Sequence, residues 1–391
     1  MLVHLHVKNL ALIDEIEVEF GPGLNILTGE TGAGKSILLG STQLILGGKT
    51  SRSMIRENAP YALVELLFQV ENTKAKEALA ALDIYPEDGQ ILLSRKIMDG
   101  RSINKINGET STVSQMKAAA ACLLDIHGQH EHQSLLYEEK QLEILDAYGR
   151  EKIFPEKEKV KAAYQEYKKC QAELKSLDMD EEQKNAEKQL ETACSRLSEI
   201  RKEYSHQLEE KVIQGLKDLN FLDVQFAIMF SRRSSFTENG YDEIQYEIST
   251  NPGESLKPLG KIVSGGELSR IMLALKAILA DRDQIETLIF DEIDTGISGR
   301  TAQKVSEKMA VIGHHHQVLC ITHLPQIAAM ADSHFEIEKQ VEGTKTTTQI
   351  HPLDEEASIR ELARLLGGAQ ITGAVLENAR EMKKLARECK A

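Results

Sequence analysis

Residues 29–36 read GETGAGKS, a glycine-rich loop that closes on Lys35 and Ser36. Glycines in such a loop let backbone N–H groups close on phosphate oxygens, the lysine reaches the β- and γ-phosphates, and the hydroxyl ligates Mg²⁺. Gly29, Glu30, Thr31, Gly32, Ala33, Gly34, Lys35 and Ser36 are therefore expected to cradle ATP, with Ser36 on the metal. Far along the chain, residues 287–292 read TLIFDE, an apolar run that ends in two carboxylates. Asp291 is placed to hold Mg²⁺, directly or through water, and Glu292 to polarise the attacking water as general base. An apolar run ending in acids is a weak signal alone. Its weight comes from SGGELSR at 264–270, a short distance before it.

SGGELSR is a second anion cradle. Ser264, Gly265 and Gly266 lead into a helix expected to start near Glu267, with backbone donors and a helix N-terminus but no lysine. One chain does not need two cradles for one triphosphate. The second is expected to cap the γ-phosphate held by another copy, which implies a homodimer with ATP at the seam. His323 follows the apolar stretch 318–321, where a γ-phosphate sensor belongs. Asp294 and Gly296, in DEIDTGISG, read as a loop facing the same seam. In HGQHEHQ (127–133) the candidate is Gln129, as a ligand to Mg²⁺ or to the attacking water, with Gln133 as its substitute. His127, His130 and His132 in that stretch hint at a metal, but no cysteine or second cluster completes a site. His314, His315 and His316 read as an exposed loop.

The elements that position these residues follow from periodicity. Alternation at 2–7 and 13–20 predicts strands, and residues 24–28 form a short apolar strand running into the glycine loop, with a helix over 36–46. Further strands are expected at 62–70 and 91–97, with a turn at Asn107-Gly108. The segment 151–219 is rich in Glu, Lys, Gln and Ala, with apolar steps at Val160, Tyr164, Tyr167 and Leu174 and again at Leu190, Cys194, Leu197, Tyr204 and Leu208. It reads as two antiparallel helices in a short coiled coil, reversing near 177–180, with Gln171, Arg201 and Lys211 interrupting the seam. The alternative is two ordinary helices packed on the globular part. Strands at 224–230, 243–249, 286–290, 317–321 and 334–338, with helices at 266–280, 300–312 and 357–366, predict a parallel α/β core. By sequence order the chain divides into an N-terminal lobe (1–150), a helical arm (151–219) and a C-terminal lobe (220–391).

The chain has 391 residues and a formal net charge of −14, which opposes non-specific attraction to nucleic acid or acidic membranes. Any DNA contact must use a local basic surface, and no long Lys/Arg block marks one. Five scattered cysteines, with no C-x-x-C, suit a reducing cytosol. The N-terminus lacks the pattern of a secretion signal, and no run approaches a membrane span of about 20 apolar residues. A cytoplasmic protein with no membrane association is expected.

The motif set resembles the bacterial RecN family of SMC-like ATPases. The stretches that carry the resemblance are LNILTGETGAGKSILL, LLDIHGQHEHQSLL, ISTNPGESLKPLGKIVSGGELSRIMLALK, LIFDEIDTGISGRTAQKV and ITHLPQIAAMAD. It implies an α/β P-loop NTPase of the ABC/SMC type, a head of two lobes with an inserted antiparallel coiled coil. It also implies Walker A roles for Lys35 and Ser36, a Q-loop role for Gln129, the signature role for Ser264, Gly265 and Gly266, Walker B roles for Asp291 and Glu292, and the switch role for His323. The implied function is DNA double-strand break repair and recombination through ATP-dependent head dimerisation. Its implied partners are duplex DNA, especially ends, and recombination proteins, at the nucleoid. Other readings are another SMC-like DNA-maintenance ATPase or an ABC transporter motor. One departure stands out: family members carry long arms, whereas about 30 residues per helix here reach only about 45 Å at 1.5 Å per residue.

Overall fold

The computed structural model describes residues 1–29, 33–127, 137–173, 180–221, 223–251, 253–261, 265–280, 285–342, 345–368 and 370–390, with side chains except at 33–37, 173, 180, 341–342 and 345–346. By compactness the chain groups differently from its sequence order. Met1–His132 and Ser264–Ala391 form one unit, and Gln133–Val263 the other.

The first segment runs β1 (Leu2–Lys8), β2 (Glu15–Glu19), β3 (Leu24–Gly29), α1 (Ala33–Ile45), β4 (Ala62–Gln69), α2 (Thr73–Ala80), β5 (Gln90–Met98), β6 (Arg101–Ile106), β7 (Glu109–Ser111), α3 (Val113–Leu123) and β8 (Leu124–His127). Six of these strands make an antiparallel sheet in the order β2-β1-β4-β5-β6-β7. Its strands alternate: Ala62, Val64, Leu66 and Phe68 of β4 are buried while the residues between them are half-exposed, the period-two pattern of a sheet with one covered face. Asn107 and Gly108 both take positive φ at the β6–β7 turn, as a two-residue hairpin of this type requires. Thr112 and Gln115 close a capping box at the start of α3.

The middle unit holds α4 (Glu138–Tyr148), α5 (Arg150–Glu173), α6 (Asp180–Asp218), β9 (Gln225–Thr237), β10 (Gly240–Ser249) and β11 (Lys257–Pro258). α5 and α6 pair through Ile153, Val160, Leu190, Cys194, Leu197 and Ile200. α6 is the longer helix, 39 residues against 24, and Leu208, Val212 and Leu216 on its second half are also buried. The β9–β10 hairpin packs on it and contributes Phe236 and Tyr241 to the helix seam. These strands, read from the sequence as the start of the C-terminal lobe, thus share a unit with the helical pair. Arg201, an interruption of the seam by sequence, is fully buried. Its guanidinium grips Asp146 of α4 through two bonds of 2.8 and 2.9 Å and Asp242 of β10 at 2.8 Å.

The last segment adds α7 (Gly265–Leu279), β12 (Thr287–Phe290), α8 (Gly299–Gly313), β13 (Gln317–Ile321), α9 (Pro325–Ala329), β14 (Ser333–Glu342), β15 (Lys345–Leu353), α10 (Glu355–Gly367) and α11 (Gly373–Lys390). It completes a second sheet, ordered β15-β14-β3-β13-β12-β8, in which β14, β3, β13, β12 and β8 run parallel and β15 is an antiparallel edge. Leu24, Ile26, Leu27, Leu288, Ile289, Phe290, Val318, Leu319 and Cys320 are buried in unbroken runs, as parallel strands covered on both faces require. The buried Gln317 amide ties the two sheets of this unit together: its Oε1 accepts from Leu2 N at 2.8 Å, and its Nε2 donates to Leu2 O at 2.7 Å and Gly21 O at 2.9 Å. The histidine run departs from expectation. His314 and His315 are exposed, but His316 is buried, because its ring nitrogens reach Ile285 O at 2.8 Å and Ala280 O at 2.9 Å.

Candidate nucleotide site

Parallel pairing brings three strand C-termini to one edge of the core sheet. β3 ends at Gly29, β13 at Ile321 and β12 at Phe290, as immediate neighbours. Ligands of open α/β sheets bind outside this edge, where the loops leave the strands. Gly29 sits at φ 140° against β14, and a Cβ there would collide with the Ile337 carbonyl. Only glycine lets β3 turn into the loop so close to its neighbour. α1 starts at Ala33, so Ala33, Gly34, Lys35 and Ser36 occupy its first turn, where backbone N–H groups have no partner within the helix. Glu30, Thr31 and Gly32 lie outside the described residues, as do the side chains of Lys35 and Ser36. Gln129, Gln133 and Ser264 lie outside them too.

Asp291 is buried immediately beyond β12. Its N–H donates to His127 O of β8 at 2.8 Å, and its carbonyl accepts from Ser269 Oγ at 2.8 Å. Glu292 takes φ 55°, a left-handed conformation that costs a non-glycine residue about 1–3 kcal/mol and persists only where the surroundings impose it. The Glu292 carbonyl in turn accepts Thr295 N at 3.0 Å. Nothing in TLIFDE announces that geometry. The Asp291 carboxylate, at the end of β12, is a hard oxygen donor of the kind Mg²⁺ prefers.

Asp294 has a more definite task than its sequence context indicates. The buried Oδ2 accepts Thr322 Oγ1 at 2.9 Å and His323 N at 3.0 Å, and lies 2.7 Å from His323 Nδ1. With Nδ1 committed to that carboxylate, Nε2 is the nitrogen left for a ligand. The His323 side chain is 57% exposed, so the ring is held at its root and open at its tip. Asp294 thus fixes the root of the His323 ring and its orientation.

The first turn of α7 is fastened to the same loop. A Cβ on Gly266 would lie 3.0 Å from Thr295 O and 3.2 Å from Glu292 O. Ser269 holds Asp291 O, and Arg270 Nη1 donates to Thr295 O at 2.9 Å. Gly265, Gly266 and Glu267 therefore share a rigid support with Asp291 and Glu292, and SGGELSR supplies that support through its last two residues. His127, weighed by sequence as part of a metal cluster, is fully buried: its ring packs on Phe290 at 5.0 Å, and Nε2 is 3.6 Å from Asp125, which pairs with Lys276 of α7 at 3.2 Å.

If Asp294 acts through His323, Asp294→Ala should slow phosphate release on the order of tenfold, the lower end of what loss of an orienting partner costs. The double variant with His323→Ala should be no slower than His323→Ala alone. Additive losses in steady-state assays would assign Asp294 a separate role.

Known proteins resemble this chain in sequence and in fold. A profile for the AAA domain matches residues 4–205. The chain is similar to the DNA repair protein RecN of Halalkalibacterium halodurans, 29% identical over 562 aligned positions that cover 100% of both chains. It is likewise similar to the RecN of Bacillus subtilis, 28% identical over 575 positions with the same full coverage. Both alignments are longer than this chain's 391 residues, so the relatives carry stretches with no counterpart here. In three dimensions it resembles the Smc head domain with an extended coiled coil from Pyrococcus furiosus, with TM-score 0.58 and 18% identity, covering 93% of this chain and 99% of that one. The Smc head domain from Pyrococcus yayanosii gives TM-score 0.58 and 13% identity, covering 92% and 98%. No helix among the described residues is long and apolar enough to cross a membrane.

Proposed function

The chain belongs to the AAA domain family, and from that premise we propose that it is an SMC-like ATPase of DNA double-strand break repair and recombination. Its fold is the α/β P-loop head of the ABC/SMC type. The observation that carries the chemistry is the shared edge of β3, β13 and β12, where Asp291, Glu292 and His323 emerge beside the start of the glycine loop. In this reading backbone N–H groups of residues 29–36 and the Lys35 ammonium bind the phosphates. Ser36 and Asp291 hold Mg²⁺, with Gln129 as a further ligand or water contact; bound there, the ion neutralises charge on the phosphate oxygens. Glu292 accepts the proton of the attacking water, and His323 Nε2 senses the γ-phosphate. Ser264, Gly265, Gly266 and Glu267 cap the γ-phosphate of a second copy, so hydrolysis requires a homodimer of heads and releases it.

The relatives' name places RecN in DNA repair, and full-length similarity is what supports the same role here. The protein would act in the cytoplasm, at the nucleoid, on duplex DNA and its ends, alongside recombination proteins. With a net charge of −14, DNA contact is local, and closing two heads aligns two weak surfaces so that avidity does the rest. The test combines phosphate release with and without linear duplex DNA and sedimentation in ATP. ATP should convert monomers to dimers, and at low salt DNA binding should rise with ATP and fall steeply as salt is added. Equal DNA binding with and without ATP would separate the nucleotide cycle from DNA engagement and remove the repair reading's mechanism.

A further inference from the structure

A buried polar line that the hydrolytic site does not use runs from α11 to the strand that enters the glycine loop. Lys383 Nζ donates to Ser358 Oγ at 3.3 Å, Ser358 Oγ lies 2.7 Å from His334 Nδ1, and His334 Nε2 lies 3.0 Å from Thr28 Oγ1. Thr28 immediately precedes Gly29. A cavity of about 280 Å³ opens onto this line, with Lys383, Ser358 and His334 in its wall and both cations (Arg387, Lys390) and carboxylates (Asp332, Asp354, Glu355) also lining it.

Lys383 is only 8% exposed. Its partners are neutral, Ser358 Oγ and the Ala331 carbonyl at 3.4 Å, and among the described residues no carboxylate lies within ion-pair distance of its ammonium. The carboxylates of the wall have partners other than Lys383, and Asp354 caps α10 by accepting Ala357 N at 2.8 Å. Asp332 accepts Leu24 N at 2.7 Å and pairs with Lys390 at 2.6 Å, and Glu355 pairs with Arg387 at 2.9 Å. Burial, together with Arg387 and Lys390, pulls the Lys383 ammonium down to about 8. Burial and Lys383 pull His334 down to about 4, so His334 is neutral near pH 7. Asp332 and Glu355 oppose the lowering of Lys383 without pairing directly with it. A buried ammonium with no carboxylate at ion-pair distance is costly, and an anion in the adjoining cavity relieves that cost.

We propose that this cavity is a binding site for a small phosphate-class oxyanion, held by Lys383 with Ser358 as the accompanying hydroxyl. The source is either free inorganic phosphate or the phosphate end of a nucleoside monophosphate, since both present the same oxygens. The experiment acylates the full chain with an amine-reactive ester and reads Lys383 modification by peptide mass spectrometry. Millimolar phosphate should slow Lys383 acylation severalfold relative to chloride at equal ionic strength, while the exposed Lys384 is unaffected. Protection by AMP but not by phosphate would assign the site to the nucleotide source. In Lys35→Ala protein the protection should persist, since the glycine loop is not its origin. In the same background Lys383→Met should abolish the thermal stabilisation by the protecting anion. Unchanged acylation with both anions, or protection lost in Lys35→Ala, would overturn the proposal.

Discussion

Glu292→Gln is expected to cut steady-state phosphate release by about 10²–10⁴, the usual cost of losing a positioned general base, while ATP still binds. The substitution is nearly isosteric. It removes the proton-accepting oxygen and leaves the size of the side chain and the turn to Thr295 in place. The backbone at φ 55° has to be held in either case, so the variant isolates chemistry from folding. If two copies close around ATP as proposed, closed dimers should then accumulate, because hydrolysis no longer removes the γ-phosphate that bridges them. Sedimentation in ATP and equilibrium binding of a fluorescent nucleotide separate the two effects. Asp291→Asn makes the useful contrast, since a weakened metal ligand should reduce nucleotide affinity as well as turnover. Unchanged phosphate release in Glu292→Gln would remove the residue from the catalytic role.

The parts of this architecture that were legible in the sequence are those written in local periodicity or in contiguous motifs. Leu24–Gly29 reads as an apolar strand ending in a glycine loop, and the structure places it in the middle of a parallel sheet beside β13 and β14. The alternation of β4 and β5 and the Asn107-Gly108 turn were legible for the same reason. Pairings between distant residues were not. Asp294 and His323 are adjacent only because β12 and β13 are neighbours, and no spacing rule links an acid in one loop to a histidine in the next. Ser269 and Arg270 look like the tail of an anion cradle, yet their side chains are spent on the Asp291 and Thr295 carbonyls. His316 reads as a third member of a polar run, although two carbonyls from the connection before β12 bury it. The motif residues Gln129 and Ser264, legible as types, keep the roles that their motifs assign as proposals to be tested by substitution.

Arg201 shows most clearly how a charge can look like a flaw from one direction and a fastening from another. At helical spacing it interrupts an apolar seam. In three dimensions it joins α6 to α4 and to β10, and Lys157 adds a second cation to Asp146 at 2.9 Å. Arg201→Met should therefore cost far more than the lost packing of one side chain. It leaves Asp242 and half of the Asp146 pairing without compensation in a buried site, and breaking such a pair from one side costs about 3–5 kcal/mol. Two compact units make a single unfolding midpoint hard to interpret, so amide exchange along α6 is the better reading. Protection there should fall by about two to four powers of ten, with the core sheet of the other unit little changed. Adding Asp242→Asn should recover part of the loss, because one uncompensated charge disappears while Asp146 keeps Lys157. Replacing Asp242 alone should cost less than replacing Arg201, since the guanidinium retains its two bonds to Asp146. If α6 exchanges as slowly in Arg201→Met as in the parent protein, the charge cluster is not what fastens the helical pair to the β9–β10 hairpin, and the apolar seam alone carries that join.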